Sequence, residues 1–378
     1  MIVSVFLTTV YVVFILFFNR GLSKTLRIRT VRKTKPSIRI SVVIPVRNEA
    51  SSILHCLEDL ANQDYPKELY EIIITDDFSE DNTLRIVQSY IEKSKDRTLL
   101  LIRPGNENPE RTGKKWAISR AVEKAGGELI MTTDADTIHG KSWISSFVFL
   151  YNSFRPQMIL GPVAFHREET LLQKIQSLEF MGIMAVTAGS AWFNIPLMCN
   201  GASLGFTKEA FIKTGGYGDN FGFASGDDMF LLTNIIRHYK PGSVLFAGDP
   251  HALTLTVAER SWNGFINQRI RWISKNRGYS DPWIRMFSLL TWTVNFLLLG
   301  GIFLGIAVPQ ILYLTLVLWF GKILSEYILV SKMAEFLDKK YMTGYYFIAQ
   351  VFQLFYVTIL GILGNFLPYR WKGRRIRK

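Results

Sequence analysis

Asp134-Ala-Asp136 closes the apolar run Glu128–Thr133. Two carboxylates at i and i+2 beyond a buried strand can hold a hard divalent cation, Mg2+ or Mn2+, which would bridge and neutralise the phosphates of a nucleotide. Alone, such a pair is more often a turn or a cap. Asp76 and Asp77 follow a second apolar run, Glu71–Thr75. Asp77 and Ser79 suit the cap of a helix beginning near Asp81; a strand-end carboxylate equally suits the N–H or hydroxyl of a base or ribose. Val46-Arg-Asn-Glu49 has the same two readings, with Asn48 as N-cap and Glu49 as nucleoside contact.

Thr112-Gly-Lys-Lys-Trp-Ala-Ile118 opens a helix after a polar loop. Free backbone N–H groups and a lysine at a helix start can receive a diphosphate, although the spacing is not that of a Walker loop. A solvated lysine pair is the plain alternative. Gly226-Asp227-Asp228 follows a glycine-rich stretch, 215–225, and precedes a helical pattern at Met229–Tyr239. One carboxylate there is an ordinary cap; an adjacent pair can include a general base. Gln268-Arg-Ile-Arg-Trp272 lies in an amphipathic basic and aromatic stretch. It suits an interfacial helix, with Trp262, Trp272 and Trp283 at the membrane surface and Arg269, Arg271, Lys275 and Arg277 on lipid head groups. The five histidines have no ligand spacing and read as structural. Cys56 and Cys199 form no zinc or disulfide framework.

The elements that must position these residues alternate. Ile38–Pro45, Glu71–Thr75, Thr98–Ile102 and Glu128–Thr133 read as strands; Glu49–Asn62, Asn82–Lys93 and Lys114–Ala125 read as helices. This predicts an α/β fold, a largely parallel sheet with helices on both faces. Ligands of such sheets bind beyond the carboxyl ends of the strands, where the polar residues above fall.

Residues 1–18 are almost wholly apolar and are followed by basic residues, which reads as a retained transmembrane anchor with the next domain in the cytosol. Phe287 to Val330 is apolar apart from Lys322 and Glu326, is divided by Pro309, and has room for two spans; a third apolar stretch runs from Tyr345 to Leu367. Three crossings after a cytosolic domain would put the basic tail outside, so one of them is expected to be re-entrant or interfacial. The formal charge of +13 is carried by two flanking segments: Arg20, Lys24, Arg27, Arg29, Arg32, Lys33, Lys35 and Arg39, and Arg370, Lys372, Arg374, Arg375, Arg377 and Lys378. A nucleic-acid footprint would spread over a folded face. These segments instead point to membrane lipids as partners, and no nucleic acid is expected. The expected domains are an anchor (1–18), a basic linker (19–37), a catalytic domain (38–255), an interfacial segment (256–284), a membrane block of two to three helices (285–367) and a basic tail (368–378).

In order, SVVIPVRNEA (41–50), ITDDFSEDNT (74–83), GKKWAI (113–118), TTDADT (132–137), SGDD (225–228) and QRIRW (268–272) resemble the membrane-embedded glycosyltransferases of family 2, with their DxD and QxxRW motifs. Cellulose or hyaluronan synthase-like and ceramide glucosyltransferase-like enzymes are among them. The resemblance covers roughly residues 38–285 and implies a GT-A catalytic domain flanked by membrane helices. It implies that Glu49, Asp76 and Asp77 hold the uridine end of a UDP-sugar. Lys114 would approach the diphosphate, and Asp134 and Asp136 would bind the metal. The family's base usually sits in a Glu-Asp segment; Gly226 replaces the Glu, leaving Asp227 or Asp228, of which Asp227 matches better. Gln268, Arg271 and Trp272 would line the acceptor site and support the departing diphosphate.

The implied activity is inverting, metal-dependent transfer of a sugar to a lipid, lipid-linked or glycan acceptor by an integral membrane protein, in the inner membrane if the cell is bacterial. Three apolar segments and an anchor are few for a polymer channel, so a processive polysaccharide synthase is the alternative. A catalytically inactive nucleotide-sugar-binding membrane scaffold is the other class.

Overall fold

A computed structural model describes residues 1–28, 37–94, 98–103, 113–218, 226–279, 281–371 and 374–376. Expectations placed on Arg29, Arg32, Lys33, Lys35, Thr112, loop residues 219–225 with Ser225, Lys372, Arg377 and Lys378, and on the side chains of Arg277, Arg370, Arg374 and Arg375, lie outside this description.

The chain begins with α1 (Ile2–Thr25), β1 (Ile40–Val46), α2 (Ile53–Ala61), β2 (Tyr70–Asp76), α3 (Thr83–Ser94), β3 (Leu99–Ile102), α4 (Lys114–Lys124) and β4 (Leu129–Thr132). It continues through β5 (Ile138–His139), α5 (Trp143–Phe154), β6 (Met158–Leu160), β7 (Val163–His166), α6 (Leu171–Trp192), β8 (Leu204–Thr207), α7 (Lys208–Lys213) and α8 (Asp227–His238). β9 (Val244–Phe246), β10 (Thr254–Val257), α9 (Trp262–Ser274), α10 (Pro282–Ala307), α11 (Pro309–Phe336), α12 (Tyr346–Leu363), β11 (Tyr369–Trp371) and β12 (Arg374–Ile376) complete it.

These elements form two compact units. The sheet unit comprises Thr25–His166 and Cys199–Val257; the helical unit comprises Met1–Lys24, Arg167–Met198 and Ala258–Lys378. The expected catalytic stretch 38–255 is thus interrupted, because residues 167–198, with α6, pack into the helical unit.

In the sheet unit seven strands run in the order β3-β2-β1-β4-β8-β6-β9. β1 pairs in parallel with β2 and β4, and β2 with β3, whereas β8 is antiparallel to both β4 and β6. Near-continuous apolar runs are what strands covered on both faces require: β1 (ISVVIPV) and β2 (YEIIITD) are buried along almost their whole length. The chain adds β2 and β3 on one side of β1 and β4 on the other, which makes the β1/β4 border a switch point where a crevice opens beyond the strand ends. Pro45, which lacks an N–H, lies past the last β1–β4 partner, Val43.

Among the described residues, the helical unit contains four helices long and apolar enough to cross a membrane: Ile2–Thr25, Pro282–Ala307, Pro309–Phe336 and Lys340–Leu363, the last including a 3-10 turn at Lys340–Tyr345 ahead of α12. The first outruns the expected 1–18 anchor and carries Arg20 and Lys24 within it. α6 starts with a capping box between Thr170 and Gln173. It crosses α1 at glycine: a Cβ on Gly21 would sit 2.2 Å from the Gly189 carbonyl oxygen, and one on Gly189 2.3 Å from that of Phe18. Small residues of this kind let helix backbones approach closely.

Candidate active site

The loops beyond β1, β2 and β4 converge within the sheet unit. Arg47, buried after β1, donates from Nη1 to the carbonyls of Asp77 (2.6 Å) and Phe78 (3.0 Å) and from Nη2 to Glu80 (3.0 Å), tying the first two loops together. Asn48 is not a helix cap, contrary to its sequence reading. It adopts the left-handed conformation (φ 52°), and its Oδ1 accepts from the Glu80 N–H at 2.8 Å, while α2 begins only at Ile53. Asparagine tolerates that backbone. Glu49 is buried: its N–H donates to Thr83 Oγ1 at 2.7 Å, and its Oε2 accepts from Ser52 at 3.0 Å.

Asp76 and Asp77 are buried too, and the capping reading fails for Asp77 and Ser79. Asp81 receives the Thr83 N–H at 2.9 Å, and Ser79 Oγ accepts from the Asn48 N–H at 3.1 Å. Asp76 Oδ1 accepts from the Ser79 N–H at 3.3 Å, with Arg103 Nε 3.9 Å from Oδ2. Asp77 Oδ1 reaches across to α4 and accepts the Gly113 N–H at 2.8 Å. Gly113 is the N-cap of α4 at φ 102°, a conformation that favours glycine, and it delivers Lys114 as the first helical residue.

Lys114 is the hub. Its Nζ donates to Asp134 Oδ1 at 2.7 Å and lies 3.4 Å from Asp227 Oδ2. Burial alone would lower its pKa; the charges of Asp134 and Asp227 and the hydrogen bond to Asp134 outweigh it and hold the ammonium above the ordinary lysine range. Asp134 is positioned from behind, its carbonyl accepting from Thr137 Oγ1 at 2.6 Å and from the buried Cys56 thiol at 3.7 Å. Asp136 is exposed. A pair of carboxylates at i and i+2 matches the oxygen preference of Mg2+ or Mn2+ and leaves most of an octahedral shell for phosphate oxygens and water.

α8 starts two residues earlier than the sequence pattern suggested, with Gly226 as N-cap at φ 92° and Asp227 first. That phase buries Asp227 and aims it at Lys114. Asp228 is half-buried, and its Oδ1 accepts from the Met229 N–H of its own helix at 2.9 Å. Tyr217 is buried beside them, its phenol pushed up by burial and then by the charges of Asp227 and Asp228.

Sequence reasoning missed Gly201. A Cβ there would sit 3.0 Å from Asp227 Oδ2 and 3.1 Å from Lys114 Nζ. No side-chain signal marks such a residue; its function is to be small. His139 is structural as expected, buried with Nε2 2.8 Å from Thr133 Oγ1 and its ring against Trp143. Burial lowers its pKa to about 3.

Gln268, Arg271 and Trp272 lie on α9 of the helical unit, all half-buried. Gln268 Nε2 donates to Glu259 at 3.5 Å. Arg269 is not a head-group residue: it is 3 % exposed, is paired with Glu179 of α6, and stacks its guanidinium over Trp272 at 4.2 Å and Phe265 at 4.5 Å. The Glu179 carboxylate also accepts from Tyr356 of α12. Trp262 and Trp283 are exposed, as an interfacial belt would require.

Residues 41–215 match the family described as Glycosyl transferase family 2. Probable glycosyltransferase YdaM of Bacillus subtilis (strain 168) is 28% identical over 244 residues, covering 63% of this chain and 55% of that protein, so the chain spans about half the length of this relative. A Methanococcus voltae enzyme, dolichyl N-acetyl-alpha-D-glucosaminyl phosphate 3-beta-D-2,3-diacetamido-2,3-dideoxy-beta-D-glucuronosyltransferase, is 24% identical over 283 residues, covering 69% of this chain and 82% of its own. Among solved structures, mannosyltransferase PcManGT from Pyrobaculum calidifontis, in complex with GDP-Man and Mn2+, superposes with a TM-score of 0.53 at 18% identity, covering 93% of this chain and 97% of that one. The fold is that of a GT-A glycosyltransferase.

Proposed function

We propose, from a chain whose residues 41–215 match glycosyl transferase family 2, that it moves a sugar with inversion from a nucleotide-sugar to a lipid, lipid-linked or glycan acceptor at the membrane. The observation that carries this reading is Lys114, whose ammonium lies 2.7 Å from Asp134 and 3.4 Å from Asp227, between a metal-type carboxylate and a base-type carboxylate. Glu49, Asp76 and Asp77 hold the nucleoside, for which UDP is the preferred form and GDP, seen in the Pyrobaculum enzyme, the competitor. Asp134 and Asp136 would hold Mg2+ or Mn2+, which when bound supplies positive charge to the diphosphate.

Asp227 accepts the proton of the acceptor hydroxyl as its oxygen attacks C1 opposite the leaving diphosphate, and a single in-line displacement inverts that carbon. Lys114 stabilises the charge that develops on the diphosphate, an interaction strongest in the transition state. Asp228 assists at the mouth of α8, and Gln268, Arg271 and Trp272 serve the acceptor and the diphosphate. The catalytic residues face the cytosol, on the side of the basic juxtamembrane residues. Transfer of one sugar or a short chain is preferred over processive synthesis.

The purified 378-residue chain, given a panel of UDP- and GDP-sugars with Mn2+, should release nucleoside diphosphate. Asp227→Asn and Asp136→Asn should each lower that release by about 10²–10⁴-fold. Unchanged release in both variants would refute the catalytic assignment, and binding without turnover in the wild type would establish the scaffold. Product mass distinguishes single transfer from a polymer.

A further inference from the structure

Within the helical unit lies a cavity of about 250 Å³, lined by residues of α1, α6, α10, α11 and α12. It is larger than the roughly 150 Å³ void that accommodates benzene in an apolar protein core. Most of its wall is hydrocarbon, from side chains such as Ile15, Leu178, Val186, Leu329 and Val357. One part of the wall is polar, where Glu326 and Gln350 meet Tyr11.

The polar part is charge-balanced. Glu326 accepts from the Tyr11 hydroxyl at 2.6 Å and from Gln350 Nε2 at 2.8 Å, and it lies 2.9 Å from Lys322 Nζ. Lys322, 1 % exposed, also donates to Gln350 at 3.0 Å and to Gln353 at 3.3 Å. The other carboxylate of the lining, Glu179, is matched by Arg269. Ionisable groups at membrane depth are costly and mark functional sites. Here each carboxylate has its own cation, so a phosphate entering the cavity would bring charge that neither pair compensates. A hydroxyl, by contrast, brings no charge and can donate to a remaining lone pair of the Glu326 carboxylate or of the Tyr11 phenol, the Gln350 N–H groups being taken by Glu326 and by Tyr346 at 3.0 Å.

We infer that this cavity is a binding site for a neutral membrane lipid, holding an aliphatic chain against the hydrocarbon wall with an uncharged hydroxyl beside Glu326 and Gln350. The inference concerns the helical unit alone and stands apart from the assignment of glycosyl transfer to the sheet unit. Gly182 lines the cavity, and a Cβ added to it would touch only Val330, at an ordinary 3.5 Å. Alanine fits there, whereas leucine would project further.

The test is photolabelling of the full chain in nanodiscs with a long-chain alkanol bearing a mid-chain diazirine, followed by peptide mass spectrometry. Adducts are expected on the lining segments of α6, α11 and α12, displaced by excess unlabelled alkanol. The corresponding alkyl phosphate should label about tenfold less or weaker still, because its charge is uncompensated there. Gly182→Ala should keep the adducts and Gly182→Leu lose them, with Val330→Phe as a second filling variant should leucine prevent folding. Equal labelling in the filled variants, or equal labelling by the phosphate, would overturn the inference. Donor hydrolysis measured on the same samples reads the sheet unit separately.

Discussion

Gly201 shows how closely Lys114 and Asp227, proposed above as catalytic, are packed. Its absent Cβ is the clearance between the backbone and the Lys114–Asp227 contact. Both neighbours are ends of side chains, so Gly201→Ala should fold normally while forcing the pair apart. We expect kcat/KM for donor turnover to fall about tenfold, roughly 1.4 kcal/mol in the barrier, with an unchanged melting temperature. His139 makes the opposite kind of prediction, in stability and not in rate. With its folded pKa lowered to about 3 from 6.5, the folded chain binds fewer protons than the unfolded one between those values. Stability therefore falls as pH drops through that window, by up to about 1.4 kcal/mol per unit. Thermal melts of the full chain from pH 6.5 to 4.5 should decline more steeply for wild type than for His139→Gln.

At the scale of elements, the α6–α9 contact depends on Arg269 and Glu179, joined by Tyr356. Arg269→Met or Glu179→Gln alone leaves a buried charge unmatched and should cost about 3–5 kcal/mol, while replacing both by apolar residues should cost far less. A double-mutant cycle on apparent melting in detergent measures the coupling. This contact was invisible in the sequence for a physical reason: arginine is normally exposed, and its partner is ninety positions away. The first four strands, by contrast, were legible to within a residue or two: β1 and β2 are buried parallel strands that read as apolar β-branched runs, and β3 and β4 are short apolar runs between helical patterns. β6 and β9 were not, being only three residues long, nor was β8, whose LGFT run is interrupted by glycine. The acidic site followed the legible strands, because Asp76 and Asp134 fall at their carboxyl ends. The sequence favoured Asp227 over Asp228 only by motif position; their different burial was not legible, because it follows from the phase of α8, whose N-cap is Gly226.

Across the whole molecule the chain passes between the two units four times, at residues 24/25, 166/167, 198/199 and 257/258. A contiguous fragment 38–255 would therefore carry α6 away from its partners. With residues such as Leu178, Met181 and Met184 buried in the intact chain, the fragment should aggregate, whereas the full chain in detergent should elute as a single species on size exclusion. A folded, monodisperse fragment would show that α6 needs no help from the helical unit. The same threading bears on turnover in the cell. Nicking any single peptide bond from residue 25 to residue 257 leaves each new end joined to at least one apolar helix. One protease cut cannot shed the sheet unit as a soluble piece; release takes at least two.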